Sequence, residues 1–173
     1  MNAVEQYLEN SIKGIRDTQC HTAHQFVYFH GRAFKPCPDH KKYFRKHSRM
    51  GACYRNAQRL VKKFPDDLTY AEGFAGTLID GCHYPPVGLH AWAITRVGEV
   101  VDPTWDNGVD YFGVPFGRAY FLEATMYRAP FSLIDNYAEG YPLWSGEHTD
   151  WRPEWDMART FRKGFIPCPM REG

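Results

Sequence analysis

The stretch LHAWAITRVGEVVDPTW, residues 89–105, holds two short apolar runs separated by Val97-Gly98-Glu99. Apolar and β-branched residues on both sides of a glycine-containing turn predict a β-hairpin. Two polar residues interrupt it, His90 at its mouth and Asp102 toward its far end. Register decides whether they meet. A regular hairpin centred on Gly98 sets His90 opposite Asp106 and Asp102 opposite Ile94, on the order of 13 Å along the strand from His90. A turn nearer Arg96, or a bulge that shifts the register, brings Asp102 to His90 instead. With neither, Asp106 is the acid that can reach the imidazole.

Outward from the hairpin, LTYAEGFAG at 68–76 reads as a preceding strand, and YFGVPF at 111–116 as an edge strand because Pro115 cannot donate to a ladder. ACYRNAQRLVKKF, residues 52–64, places Ala57, Leu60, Val61 and Phe64 on one helical face and ends at Pro65. RAYFLEATMYRA predicts another helix, residues 2–15 a first one, and the aromatic run QFVYFHG at 25–31 a strand. KPCPDH reads as a proline-broken loop. The order, a helix and then several antiparallel strands, is an α+β pattern. A chain of 173 residues fits one domain, with a core over about 25–128 and an irregular, aromatic-rich extension over about 129–173 that packs through Trp144, Trp151 and Trp155.

Cys53 stands at the start of the 52–64 helix. A thiol there meets unpaired backbone N–H groups and the positive end of the helix dipole, which favour the thiolate and could hold an oxyanion beside it. A cysteine nucleophile also needs a base and a group to orient that base. His90 and Asp102 follow in that order.

Gly51-Ala52-Cys53-Tyr54-Arg55-Asn56-Ala57 resembles the nucleophile helix of transglutaminase-like and papain-like cysteine enzymes. His90-Ala91-Trp92, then Val101-Asp102-Pro103-Thr104-Trp105, is similar to the transglutaminase-core pattern, and Tyr70-Ala71-Glu72-Gly73-Phe74 resembles the strand between the two motifs. The resemblance covers about residues 50–106. It implies a papain/transglutaminase-like core with the nucleophile helix on an antiparallel sheet. It further implies a Cys53–His90–Asp102 triad, with Cys53 as nucleophile, His90 as general base and acid, and Asp102 as the orienting carboxylate. The activity implied is acyl transfer from a protein or peptide amide through a thioester, as protease, deamidase or cross-linking enzyme, with no cofactor. Tyr54, Asn56 and Trp92 are candidate cleft residues, although helix surface suits the first two and a core place suits Trp92. Papain-type enzymes carry a glutamine shortly before the cysteine; here Lys46-His47-Ser48-Arg49-Met50 contains none, which leaves Gln19 or Gln25 to fold back.

Residues 32–63 hold eleven Lys or Arg and one acid, Asp39, a local charge of +10 against +1 for the whole chain. With Phe34, Tyr43 and Phe44 among the cations, the segment suits a nucleic acid or an acidic protein partner. The alternative reading is therefore a non-catalytic binding module of the same fold. Cys20-x3-His24 and Cys37-x2-His40 have spacings that zinc could use, although their order is not that of a standard finger. Five unevenly spaced cysteines argue against a complete disulfide framework and suit a reducing compartment. No apolar run is long enough to span a membrane, and MNAVEQYLENSIKGIRD lacks the apolar centre of a signal peptide. A cytoplasmic protein is the expectation.

Overall fold

The computed structural model describes residues 3–14, 22–84 (without 45, 47 and 49), 88–126 and 130–157 (without 145, 147 and 149). Among these, α3 (Cys53–Lys63) precedes β2 (Leu68–Ile79) and a short β3 (Cys82–Tyr84). The hairpin of β4 (His90–Thr95) and β5 (Glu99–Val101) follows, and then β6 (Gly108–Pro115) and α4 (Arg118–Ala124). Ahead of α3 lie α1 (Ala3–Ile12), α2 (Ala23–His30) and β1 (Arg32–Pro36). A four-residue α5 (Glu154–Met157) ends the described chain.

The strands run β3-β2-β4-β5-β1-β6, and β6 returns to pair with β2. Five strands thus close into a barrel, with β3 as a hairpin extension of β2. Closure leaves none of the five with an open edge. All pairs are antiparallel except β1 with β5, so the sheet is not wholly antiparallel. The helix α3 packs chiefly on β4.

Two expectations from sequence fail here, each for a physical reason. Residues 25–30 belong to α2, and Gly31 is its C-cap. Thr22 caps it, with the Gln25 N–H donating to Thr22 Oγ1 at 3.2 Å, and the Gly31 N–H closes it on Val27 O. That local capping outweighs the strand preference of Phe, Val and Tyr. β6 is not an edge strand, because β1 takes one side and β2 the other, and Pro115 is tolerated as its last residue. The strand β1, hidden among prolines and cations, completes the barrel.

Alternation along the strands builds two cores. Phe34, Ala71, Ala75, Trp92, Ile94, Val100 and Tyr111 fill the barrel. The opposite faces, with Tyr70, Phe74, Ala91, Ala93, Val101, Phe112 and Val114, pack against the helices through Val4, Leu8, Phe26, Ala57, Leu60, Val61 and Phe121. Leu133, Ile134, Leu143 and Trp151 of the extension join that same core, which therefore reaches beyond residues 25–128 at both ends. Of the three tail tryptophans, Trp151 is buried, Trp144 stacks on Tyr141 with centroids 4.0 Å apart, and Trp155 is half exposed beneath the Arg32 guanidinium.

Gly73 lies between His90 on β4 and Gly113 on β6. A Cβ there would run into Phe112 O and the Gly113 Cα, which are backbone atoms with no room to yield. Gly73→Ala is expected to lower stability by about 2–3 kcal/mol, read as a lower urea midpoint. Gly88→Ala, whose added Cβ meets nothing within 4 Å, should leave the midpoint near that of wild type.

Candidate active site

The β4–β5 register settles which acid reaches His90. Ala93 pairs with Val101 and Ile94 with Val100, so the hairpin is centred on Val97, one residue earlier than a Gly98-centred turn. The Gly98 N–H bonds back to Thr95 O at 2.9 Å, and Gly98 takes the left-handed conformation (φ +83°) that ends a three-residue loop. Continued along that register, Asp102 stands beside Trp92, two residues from His90, a diagonal separation that side chains can bridge. Period-two alternation puts His90, Trp92 and Ile94 on the inner face of β4, with Val100 and Asp102 on the same face of β5 and its continuation. His90 and Asp102 therefore meet at the barrel mouth. His90 Nε2 donates to Asp102 Oδ2 at 2.7 Å, and both side chains are buried. Asp106 is exposed and is not the partner.

Four donors saturate the Asp102 carboxylate. Oδ1 accepts from the backbone N–H groups of Thr104 (2.8 Å) and Trp105 (3.1 Å), and Oδ2 accepts from His90 and from the Tyr111 hydroxyl (3.0 Å). Pro103, Thr104 and Trp105 make the tight turn that aims those N–H groups, which is why strand pairing stops at Val101. The turn is tied to the nucleophile segment twice. The Ser48 N–H donates to Pro103 O at 2.7 Å, and Asn56 Nδ2 donates to Thr104 Oγ1 at 3.1 Å. Trp105 lies flat on the imidazole, with centroids 4.0 Å apart and planes at 16°. It shields one face of the ring from water.

Cys53 is the first residue of α3. Its position continues the buried stripe of Ala57, Leu60 and Val61, with the partly buried Phe64 at the far end, so the packing that docks the helix on β4 also sets the side of the helix from which the thiol projects. The sulfur lies close enough to the imidazole to act on it, as a hydrogen-bonding group and through its charge. Since Nε2 is taken by Asp102, Nδ1 is the nitrogen that faces the sulfur. Gly51, in the left-handed conformation (φ +75°), turns the chain into the helix. The first intrahelical bond runs from the Asn56 N–H to Ala52 O, and Ala52 supplies no side-chain cap. The N–H groups of Cys53, Tyr54 and Arg55 therefore have no acceptor within the helix.

Burial acts to lower the His90 pKa, but the hydrogen bonds to Asp102 and Cys53, and the charges of those groups, outweigh it and raise the pKa to about 9. The imidazolium thus persists at neutral pH. Because the folded value lies above the ordinary 6.5, its contribution to stability is complete below about pH 6.5 and is lost as pH rises through about 9. The His90 Hε1 resonance is expected to titrate near pH 9 by NMR; a midpoint at or below 6.5 would contradict the coupling.

The remaining candidates fall into place around this centre. Trp92 has no exposed surface and fills the barrel beneath His90, so it is a core residue and not a substrate contact. Tyr54 is half-buried, and its hydroxyl donates to Leu89 O at 3.4 Å. Asn56 braces the Asp102 turn. Gln25 lies at the start of α2, its side chain bonded to Thr22, and Gln19 is outside the described residues. His24 packs at a tilt on Phe74, His30 pairs with Arg152 and His40 packs on Phe44. Cys20 is outside the described residues, and among those described no three ligating side chains gather. The basic segment is divided between β1, the turn at His40–Lys42 and the outer stripe of α3 formed by Arg55, Arg59, Lys62 and Lys63.

Two contributors escaped the sequence reading. One is Tyr111, which reaches Asp102 from β6 through the barrel. The other is Glu72, a fully buried carboxylate on β2. Its Oε1 accepts from the Tyr70 hydroxyl and the Leu133 N–H, and its Oε2 from the Ser132 hydroxyl and the Ile134 N–H, all at 2.6–3.1 Å. Burial pushes its carboxyl above the ordinary range, against four hydrogen bonds that favour the charged form. Alternation along β2 hinted that Glu72 faces the core, but nothing local named its partners sixty residues away. No helix among the described residues is long and apolar enough to cross a membrane. Compared with family models, curated proteins and solved structures, the chain matches none of them.

Proposed function

We propose that this protein is a cysteine-dependent acyl-transfer enzyme that acts on amides. The observation that carries the reading is the placement of one imidazole between a buried carboxylate and a thiol at a helix N-terminus. In this reading the Cys53 sulfur attacks the carbonyl carbon of the amide while its proton resides on His90 Nδ1. The carbonyl oxygen becomes an oxyanion beside the N–H groups of the first turn of α3, chiefly that of Cys53. Collapse of that tetrahedral centre breaks the C–N bond, and His90 gives its proton to the departing amine. The thioester then passes its acyl group to water or to an amine, activated by the now neutral imidazole. Asp102 holds the ring in position and stabilises its positive charge. The residue order Gly-x-Cys, His-x-Trp, Asp-Pro-x-Trp, which resembles that of transglutaminase-like enzymes, supports the same chemistry.

The test is intact-mass analysis of peptide and protein amides incubated with wild type and with Cys53→Ala. A gain of one mass unit signals deamidation, fragments signal proteolysis, and joining with loss of ammonia signals cross-linking. Each should vanish in the variant. A product formed equally by Cys53→Ala, or by neither protein across a broad peptide library, would sink the proposal.

A further inference from the structure

Tyr111 meets Asp102 from inside the barrel. Its ring is buried among the residues that fill the interior and stands edge-on to Trp92, with centroids 5.1 Å apart. Its hydroxyl donates to Asp102 Oδ2 at 3.0 Å, and His90 Nε2 donates to that same oxygen at 2.7 Å. Gly108, the first residue of β6, leaves the room this contact needs. A Cβ there would run into the Tyr111 hydroxyl and the ring carbon that bears it. Gly108 is not among the glycines in the left-handed conformation, so the position uses the missing side chain and not the backbone freedom.

The sharing of Oδ2 has a consequence for the imidazole. Oδ1 is already filled by the N–H groups of Thr104 and Trp105, so the carboxylate cannot turn to give His90 an oxygen of its own. An oxygen that accepts two donors offers each of them less negative charge than one that accepts a single donor. The charged groups that act on His90 are Asp102 and Cys53, and the one that acts on Tyr111 is Asp102. Glu72, on the neighbouring β2, pairs with Ala91 and so lies on the opposite, helix-side face of the sheet.

Resting on the acyl-transfer reading, we propose that Tyr111 is a positioning residue that limits the hold of Asp102 on the His90 proton by taking a share of Oδ2. The imidazole has two duties in that reading. It carries the proton of the sulfur while the nucleophile attacks, and it must then release a proton to the departing amine. A carboxylate devoted wholly to His90 would favour the first duty at the expense of the second. Tyr111 touches neither the sulfur nor the substrate, and acts through Asp102 alone.

The experiment compares wild type with two variants of the full chain. Tyr111→Phe keeps the ring and loses the hydroxyl, whereas Gly108→Ala keeps the hydroxyl and drives it from its place. His90 is followed by NMR through its Hε1 resonance, and iodoacetamide labelling of Cys53 and Cys82 is mapped by peptide. In both variants His90 is expected to hold its proton roughly three- to tenfold more tightly, which moves its midpoint upward from about 9. Mere loosening of the packing would weaken the contact with Asp102 and move the midpoint the other way. Tyr111→Phe decides alone if Gly108→Ala does not fold. A midpoint unchanged or lowered in Tyr111→Phe, with Cys53 still labelled ahead of Cys82 in wild type, overturns this role and leaves the triad standing. Cys53 labelled no faster than Cys82 in wild type overturns the acyl-transfer reading, and this inference with it.

Discussion

Asp102→Asn is expected to slow the alkylation of Cys53 by roughly 10–10²-fold while leaving the barrel folded. The reason lies in the four donors that converge on this carboxylate. Oδ1 accepts two backbone N–H groups, and Oδ2 accepts the Tyr111 hydroxyl and His90 Nε2–H. An asparagine supplies one oxygen and one NH2 group. Whichever way it turns, the NH2 meets two groups that are themselves donors. If it faces the Thr104–Trp105 turn, two buried N–H groups lose their acceptor. If it faces the barrel, His90 must present a lone pair at Nε2 and carry its proton on Nδ1. That tautomer cannot accept a proton from the sulfur. The positive charge on His90 loses its main support in either case, so its titration should move down from about 9. Two readouts separate chemistry from stability: the rate of Cys53 alkylation at pH 6, and the urea midpoint. The rate should collapse while the midpoint falls by about 1–3 kcal/mol. Comparable rates for variant and wild type would show that Asp102 orients nothing.

The second large effect is on the fold. Glu72→Gln is expected to cost about 3 kcal/mol or more, although it keeps the size and shape of the side chain. Glu72 accepts four hydrogen bonds in a site with no exposure, and three of the four donors belong to residues 132–134. An amide nitrogen there would face donors on either side. The clamp matters beyond its own bonds, because the same segment is held to α3 by Gln58 Nε2 donating to Phe131 O at 3.2 Å. Pro130 just before it lines a cavity together with Ala52 and Tyr54. Loss of the clamp should therefore show as a lower urea midpoint together with faster hydrogen exchange at Leu133 and Ile134. If Glu72→Gln melts with wild type, the carboxylate is not what fixes this loop.

How much of this was legible in the sequence depends on how local each signal was. The helix of Cys53 declared itself through its apolar stripe and Pro65, and the hairpin through its apolar runs and Gly98. The pairing of His90 with Asp102 hung on a single residue of register. The left-handed glycine ends the loop rather than centring it, which moves the turn to Val97. Barrel closure was illegible because β1 carries cations and neighbouring prolines, and its partners lie more than sixty residues away. The aromatic run at 25–31 looked like a strand because its strongest signal, the Thr22–Gln25 cap, sits at its edge. Tyr111 and Glu72 act across the fold, through side chains whose partners no spacing rule predicts.

The central claim is that Cys53, His90 and Asp102 act as one unit, and the most direct test is the reactivity of the sulfur itself. The protein is treated with iodoacetamide at pH 6, and labelling is followed at each cysteine by peptide mapping in wild type and in His90→Ala. At that pH the positive charge of His90 stands beside the sulfur. Cys53 should therefore react roughly 10²-fold faster than the exposed Cys82, and this preference should disappear in His90→Ala. Equal labelling of Cys53 and Cys82 in wild type, or a preference that survives the loss of His90, would contradict the account.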